Sequence, residues 1–401
     1  MSVLYDIAIQ FYYLSIKLAA IFGNKKAIDW INGRKIEQIT PFESKLPVIW
    51  MHCSSLGEFE QGKPLLTYLF EHYKDQYFIL LSFYSPSGFN KQKQCKFADL
   101  VIYLPLDTQK KAIDFIYKYK PSLSIFVKYD FWYHFFRQIN AHHIPLILIS
   151  SHFRPDQLFF SNKISFFKRL LNNVTYFFVQ DKDSKELLNT IGISNNVLVV
   201  GDTRLDAVIS TSQEKFDDKI ITEFLENQQC VIFGSIWEED LVVITDWILK
   251  CKQKIILAPH DISFSKKLSE VFEDSSQYSN FQAHRNILII DNIGMLSKLY
   301  RYAKFAYIGG GFGKGIHNTL EPLAYKLPII FGKKYSKFPE AIEQIKLETS
   351  FSINDAVEFS TIADRLLATS PNHDMQSRIE NYLRTNKGAT QKIILILEKY
   401  L

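Results

Sequence analysis

Phe-Ala-Tyr-Ile-Gly-Gly-Gly-Phe-Gly-Lys-Gly-Ile-His-Asn-Thr-Leu-Glu-Pro, from Phe305 to Pro322, reads as a buried strand that runs into a glycine loop and then a helix start. Five glycines in the seven positions from Gly309 to Gly315 free the backbone to take positive φ and let a ligand approach the main chain. Asn318 is a good N-cap with Glu321 three residues on, the capping-box spacing, so the amides after the loop point outward at the positive end of a helix dipole. Such an end attracts anions. Two familiar phosphate motifs do not fit. Gly313 is preceded five residues earlier by Ile308 where a P-loop needs glycine, and Lys314 is followed by Gly315 rather than Ser or Thr. A dinucleotide fingerprint on Gly309 and Gly311 needs a third glycine where Lys314 stands. A turn that only packs a strand against a helix is the alternative reading of these residues.

Outward from this stretch, short β-branched or aromatic runs alternate with helical stretches from about Leu46 onward, the pattern of a doubly wound α/β architecture. Pro47 to Cys53, Tyr77 to Tyr84, Leu100 to Leu104, Leu123 to Val127, Ile144 to Ser150, Tyr176 to Gln180 and Val197 to Val200 read as strands of one sheet. Their near-continuous apolarity suits parallel strands covered on both faces. A polar segment from Ser210 to Lys219 interrupts the pattern, which resumes with Cys230 to Gly234, Lys254 to Ala258, Asn286 to Ile290, Phe305 to Gly309 and Pro328 to Gly332. Two Rossmann-like doubly wound domains are expected, at residues 36–210 and 211–401, the latter including the terminal helices. Ligands in such sheets sit beyond the carboxyl ends of the strands, here predicted to face a cleft.

The 401-residue length suits two cores better than one. With 47% hydrophobic and 22% charged residues the chain is globular, and a net charge of +5 implies mild attraction to anions with no nucleic-acid partner. Cys53, Cys95, Cys230 and Cys251 lie far apart without C-x-x-C spacing, which indicates neither structural zinc nor a disulfide framework. Residues 1–35 are read as a membrane-anchor helix with a basic flank. Val3 to Phe22 is mostly apolar and about 30 Å long as a helix. Asp6, Gln10 and Lys17 fall within about 40° of one another at 100° per residue, so the helix is amphipathic. Lys25, Lys26, Arg34 and Lys35 follow, which places the body of the protein in the cytoplasm. The alternative is a helix whose apolar face docks on the first domain.

Ser54-Ser55-Leu56-Gly57-Glu58 follows the first strand and puts Glu58 in a first helical turn at the carboxyl end of that strand. Ser55 and Glu58 have capping-box spacing, and a carboxylate there could equally serve as a general base. Asp181-Lys182-Asp183 matches a metal-binding D-x-D only weakly, since Asp181 is placed as the N-cap of the next helix. Arg204, in Gly201-Asp202-Thr203-Arg204-Leu205-Asp206, could reach a phosphate or pair with the adjacent aspartates.

These elements resemble a known family. Asn32-Gly33-Arg34-Lys35, Ser54 to Glu58, Ser85-Pro86-Ser87-Gly88, Tyr103-Leu104-Pro105-Leu106-Asp107, Phe131-Trp132, Gly201 to Asp206, Gly234-Ser235, Gly309 to Pro322 and Asn386-Lys387-Gly388-Ala389 occur in the order and context of bacterial 3-deoxy-D-manno-octulosonic acid (Kdo) transferases. The resemblance implies a metal-independent, cofactor-free, inverting glycosyltransferase of the two-domain GT-B type. It implies transfer of Kdo from CMP-Kdo to a lipid A precursor, lipid IVA, in lipopolysaccharide core biosynthesis at the cytoplasmic face of the inner membrane. On the same ground Glu58 is the catalytic base. The CMP site carries over to Pro259 and His260, to Ile293, Gly294 and Met295, and to Asn318, Thr319, Leu320 and Glu321. Arg204 stands where the family usually has a lysine that stabilises the transition state. Three departures are visible. Lys128 occupies a position that is acidic in many members, so that role is lost or moved to Asp130. His260 replaces an arginine and Met295 a common glutamate. Other nucleotide-sugar transferases, an epimerase and a non-catalytic membrane-tethered sugar-nucleotide binder are the alternatives.

Overall fold

The apolar runs form two parallel seven-stranded sheets in the computed structural model, which describes residues 2–37, 42–128, 131–157, 160, 165–368 and 373–401. Asp130 lies outside the described residues. The first sheet comprises β1 (Val48–Cys53), β2 (Phe78–Phe83), β3 (Leu100–Tyr103), β4 (Pro121–Val127), β5 (Leu146–Ser151), β6 (Tyr176–Val179) and β7 (Val197–Val199), in the order β3-β2-β1-β4-β5-β6-β7. Alternate residues of β1 serve opposite faces. Val48 and Trp50 join one apolar cluster, while Ile49, Met51 and Cys53 join another. The chain winds outward from β1 through β2 and β3 and then returns to add β4 on the other side, so the order reverses between β1 and β4.

The second sheet is also parallel and seven-stranded but has a different strand order. Its strands are β8 (Cys230–Ile236), β9 (Lys254–Pro259), β10 (Ser275–Gln277), β11 (Ile287–Ile289), β12 (Ala303–Ile308), β13 (Ile329–Gly332) and β14 (Ser350–Ile353), in the order β10-β11-β9-β8-β12-β13-β14. Here the order reverses between β8 and β12. β10 and β14 are additions to the sequence reading, and both are edge strands. A three-residue Ser-Ser-Gln strand with one fully buried side chain carries no apolar run to betray it.

The chain divides into one unit made of Met1–Asp206 with Lys387–Leu401 and a second unit, Ala207–Asn386. The expected boundary at 210/211 lies four residues further on. The terminal helix Ala389–Leu397 differs more, because it returns to the first unit. Its Ala389, Ile393, Ile394 and Leu397 pack in the cluster that holds Ile49 and Met51.

The N-terminal segment also departs from expectation. Helix α1 (Ser2–Ile21) lays Tyr5, Ile9, Tyr13 and Ile16 against the first core and leaves Leu4, Ile7, Phe11, Leu14, Leu18 and Ile21 exposed. It therefore has two apolar faces rather than one. Tyr5 donates to the buried Asp107, and Asp6 pairs with His134 at 2.6 Å. Val3–Ile21 is long and apolar enough to cross a membrane. In α2 (Lys25–Glu37) Arg34 is buried rather than part of a solvated basic flank. Its guanidinium donates to the carbonyls of Leu104 at 2.9 Å and Tyr84 at 2.7 Å, and lies 3.7 Å from the Trp30 ring centroid. These partners satisfy the charge that the core would otherwise exclude.

Candidate active site

In a doubly wound sheet the crevice for ligands opens beyond the carboxyl ends of the strands at the point where strand order reverses. In the first unit that point is the β1/β4 junction, where the chain places Glu58 and Lys128. Glu58 sits in the first turn of helix α3 (Leu56–Tyr73), immediately after β1. The capping box is not made. The Ser55 hydroxyl forms no cap to the helix and instead donates to Glu58 Oε2. Lys128, directly after β4, brings its Nζ to 3.5 Å from Glu58 Oε1. The carboxylate is thus held at both oxygens by a hydroxyl and an ammonium, and 17% of its side chain is left open to solvent.

Behind this pair lies a residue that the sequence reading passed over. His52 is wholly buried in β1, and burial, with a further contribution from the nearby Arg34 charge, pushes its pKa down to about 3. Trp132 Nε1 donates to His52 Nε2 at 3.2 Å, so the ring proton sits on Nδ1 and points to Ser82 Oγ at 2.8 Å. A polar residue in the otherwise apolar run Val48 to Cys53 was the available signal. The neutral imidazole fixes Trp132, whose ring lies 4.3 Å from that of Tyr84. It also contacts Ser54 Oγ at 3.2 Å, at the entry to α3.

Arg204 pairs with one of its neighbouring aspartates. Its guanidinium forks onto Asp202, with Nη2 to Oδ2 at 2.6 Å and Nε to Oδ2 at 2.9 Å. Asp206 turns elsewhere and accepts from the amides of Gly388 at 2.6 Å and Thr390 at 2.7 Å. Asp181 accepts from the Ser184 amide as the N-cap of the helix Lys182–Thr190 and pairs with His152 at 2.6 Å.

In the second unit the β8/β12 junction holds the glycine loop. Gly310 takes φ +90°, and a Cβ there would lie 2.4 Å from the Gly315 carbonyl oxygen. A Cβ on Gly311 would lie 2.5 Å from the Gly332 amide nitrogen at the end of β13. At these two positions close backbone packing requires glycine. Buried Asp240 anchors the loop. It accepts from the Gly310 amide at 2.9 Å, the Trp237 amide at 2.8 Å and the Tyr307 hydroxyl at 2.9 Å, while burial raises its pKa.

The helix after the loop starts one residue later than an Asn318 N-cap implies. It runs Leu320–Ala324 with Thr319 at the N-cap position. Asn318 Oδ1 still accepts the Leu320 amide at 3.0 Å, two residues on, and Asn318 Nδ2 donates to the Glu321 carboxylate at 3.1 Å. The reciprocal bond of a capping box is therefore replaced by a contact between side chains. Thr319 is buried and its hydroxyl has no hydrogen-bond partner. Beside the loop, Trp237, His260 and His317 form a stack, with His260 at 4.4 Å from Trp237 and 4.3 Å from His317. Trp237 Nε1 donates to His317 Nε2 at 2.8 Å, and burial, then the His260 charge, lowers the His317 pKa to about 4. A cavity of about 590 Å³ opens among Trp237, His260, Asp261 and Phe264. Pro259 ends β9 and His260 follows it, while Ile293, Gly294 and Met295 lie in the loop after β11, with Ile293 exposed. A second cavity of about 810 Å³, lined by Arg301, Lys304, Phe351 and Arg365, includes none of the residues named for the donor.

Residues 31–207 match the family described as 3-deoxy-D-manno-octulosonic-acid transferase (kdotransferase). The chain is 24% identical over 386 residues to a 3-deoxy-D-manno-octulosonic acid transferase of Rickettsia felis, covering 89% of this chain and 82% of that one. It is 25% identical over 369 residues to a bifunctional glycosyltransferase/methyltransferase of Fusobacterium nucleatum, covering 86% of this chain and 56% of that protein. Among solved structures, UDP-GlcNAc 2-epimerase from Neisseria meningitidis bound to UDP-GlcNAc aligns with TM-score 0.63 at 15% identity, covering 88% of this chain and all of that one. A glycosyltransferase from Rickettsia africae aligns with TM-score 0.57 at 14% identity over 89% of this chain and 97% of that one.

Proposed function

We propose that this chain, a glycosyltransferase of the GT-B type related to the bacterial Kdo transferases, moves Kdo from CMP-Kdo to a lipid A precursor, lipid IVA, with inversion. The observation that carries the reading is Glu58. A carboxylate held by Ser55 and Lys128 at the β1/β4 reversal is placed to take a proton from an acceptor hydroxyl, a role worth about 10² to 10⁴ in rate. Arg204, kept in one orientation by Asp202, supplies fixed positive charge for the transition state. CMP is assigned to the second unit, at Asn318, Thr319, Leu320 and Glu321, with Pro259, His260, Ile293, Gly294 and Met295 around the nucleotide.

The exposed apolar stripe of α1 supports attachment to the inner membrane at its cytoplasmic face. Because the opposite side of that helix packs on the first core, the reading we favour is a helix lying in the interface. Incubating purified protein with CMP-Kdo and lipid IVA and weighing the product by mass spectrometry tests the proposal. No mass gain of a Kdo residue overturns it. The likeness to a UDP-GlcNAc 2-epimerase favours one second reading, action on a UDP-sugar, and conversion of UDP-GlcNAc in place of CMP-Kdo would establish that instead.

A further inference from the structure

Lys128 is held more firmly than a surface lysine needs to be. Its φ of +67° is left-handed, a conformation that residues with a Cβ rarely adopt. Its amide donates to the Ile149 carbonyl at 2.8 Å, and its own carbonyl accepts from Ser151 Oγ at 2.7 Å. β5 thus over-determines the strained residue, the condition under which such strain persists and is found at functional sites.

The chemistry next to Glu58 supplies a reason. A hydroxyl that Glu58 deprotonates lies within about 3 Å of its carboxylate, and the carbon under attack lies about 3 to 3.5 Å beyond. In a 2-ulosonic acid a carboxylate is bonded directly to that carbon. It therefore comes close to whatever adjoins the base, and here that is an ammonium 3.5 Å from Glu58 Oε1. Resting on the sugar-acid transfer proposed above, we infer that Lys128 receives the carboxylate borne by the reacting carbon of the donor and selects for sugar acids over neutral sugars.

The test uses CMP-Kdo and its analogue with the C1 carboxylate converted to a carboxamide, each with wild-type protein, Lys128→Gln and Lys128→Arg. Loss of one charge-assisted contact predicts that Lys128→Gln lowers kcat/KM on CMP-Kdo about 10- to 100-fold. On the carboxamide the same substitution has little effect, Lys128→Arg recovers most of the loss, and the affinity for CMP alone is unchanged. An equal loss on both donors, or no loss on either, overturns the inference while leaving the functional reading in place. Failure of the wild-type protein to transfer Kdo overturns both. Lys128→Met provides the same comparison if Lys128→Gln does not fold.

Discussion

The carboxyl ends of β1 and β4 and the carboxyl ends of β8 and β12 are the points of strand-order reversal in two parallel sheets, yet they are furnished differently. At the first, charged side chains meet, with Glu58 held between Ser55 and Lys128. At the second, main chain does the work, with a glycine loop tied down by one buried carboxylate and flanked by stacked rings. The contrast separates two kinds of dependence. A side chain reaching in from a rigid strand end can be altered without disturbing the sheet, whereas a backbone loop that owes its shape to Asp240 cannot lose that residue without losing both shape and stability. Substitutions of the charged side chains at the first junction should therefore act on rate, and those of the loop's anchor in the second on folding and nucleotide affinity together.

The largest expected effect belongs to Glu58→Gln. It should lower kcat about 10²- to 10⁴-fold with unchanged CMP affinity and an unchanged melting temperature. Near-normal turnover would remove Glu58 as the base, and a matching loss of stability would break the contrast. Acid comes next. His52 is neutral in the fold, with a pKa of about 3 against an ordinary 6.5. The unfolded chain binds a proton that the folded one refuses, so the stability this residue contributes is complete above pH 6.5 and is lost as pH falls toward 3. Between pH 7 and pH 4.5 the loss is roughly 3 kcal/mol, and His52→Gln, neutral throughout, should abolish it in urea titrations. Asp107 acts with the opposite sign in the same unit. Burial pushes its pKa up to about 6, so its contribution is present at low pH and lost as pH rises through 6. Only the difference between wild type and the His52 variant isolates the histidine. Asp240→Ala follows, leaving the Gly310 amide, the Trp237 amide and the Tyr307 hydroxyl without their acceptor at a cost of roughly 2 to 4 kcal/mol. Weaker CMP binding should accompany it, and unaltered binding would show that the loop holds its shape unaided.

The sheets were legible because strands buried on both faces are written as unbroken apolar runs. β10 and β14 escaped because an edge strand three or four residues long needs no such run. At the candidate site the residues could be read but their pairings could not. Ser55 and Glu58 have the spacing of a helix cap, and local rules favour that cap, yet the hydroxyl turns to the carboxylate and Lys128 approaches the same group from a different strand. Arg34 reads as membrane flank from its neighbours in sequence, while its real partners are the carbonyls of Tyr84 and Leu104. Local spacing carries caps and periodicity. It does not carry the tertiary neighbour that outbids them.

Asp206 sharpens the comparison at its smallest scale, because it stands in the motif Gly201 to Asp206 beside Arg204 and could be mistaken for part of the charged site. Its carboxylate instead receives the amides of Gly388 and Thr390 at the start of the helix Ala389–Leu397, a cap and a dipole contact from opposite ends of the first unit. Its removal should therefore loosen the terminal helix and leave the reaction alone. Asp206→Ala is expected to cost about 1 kcal/mol, seen as a lower urea midpoint and faster amide exchange in that helix, with kcat within about twofold of wild type. Asp206→Asn should keep most of the stability, since an asparagine oxygen accepts the same amides and gives up only the charge. A tenfold fall in kcat at unchanged stability would instead draw Asp206 into the charged cluster, and the first unit's chemistry would extend from β1 and β4 to the helix that closes the chain.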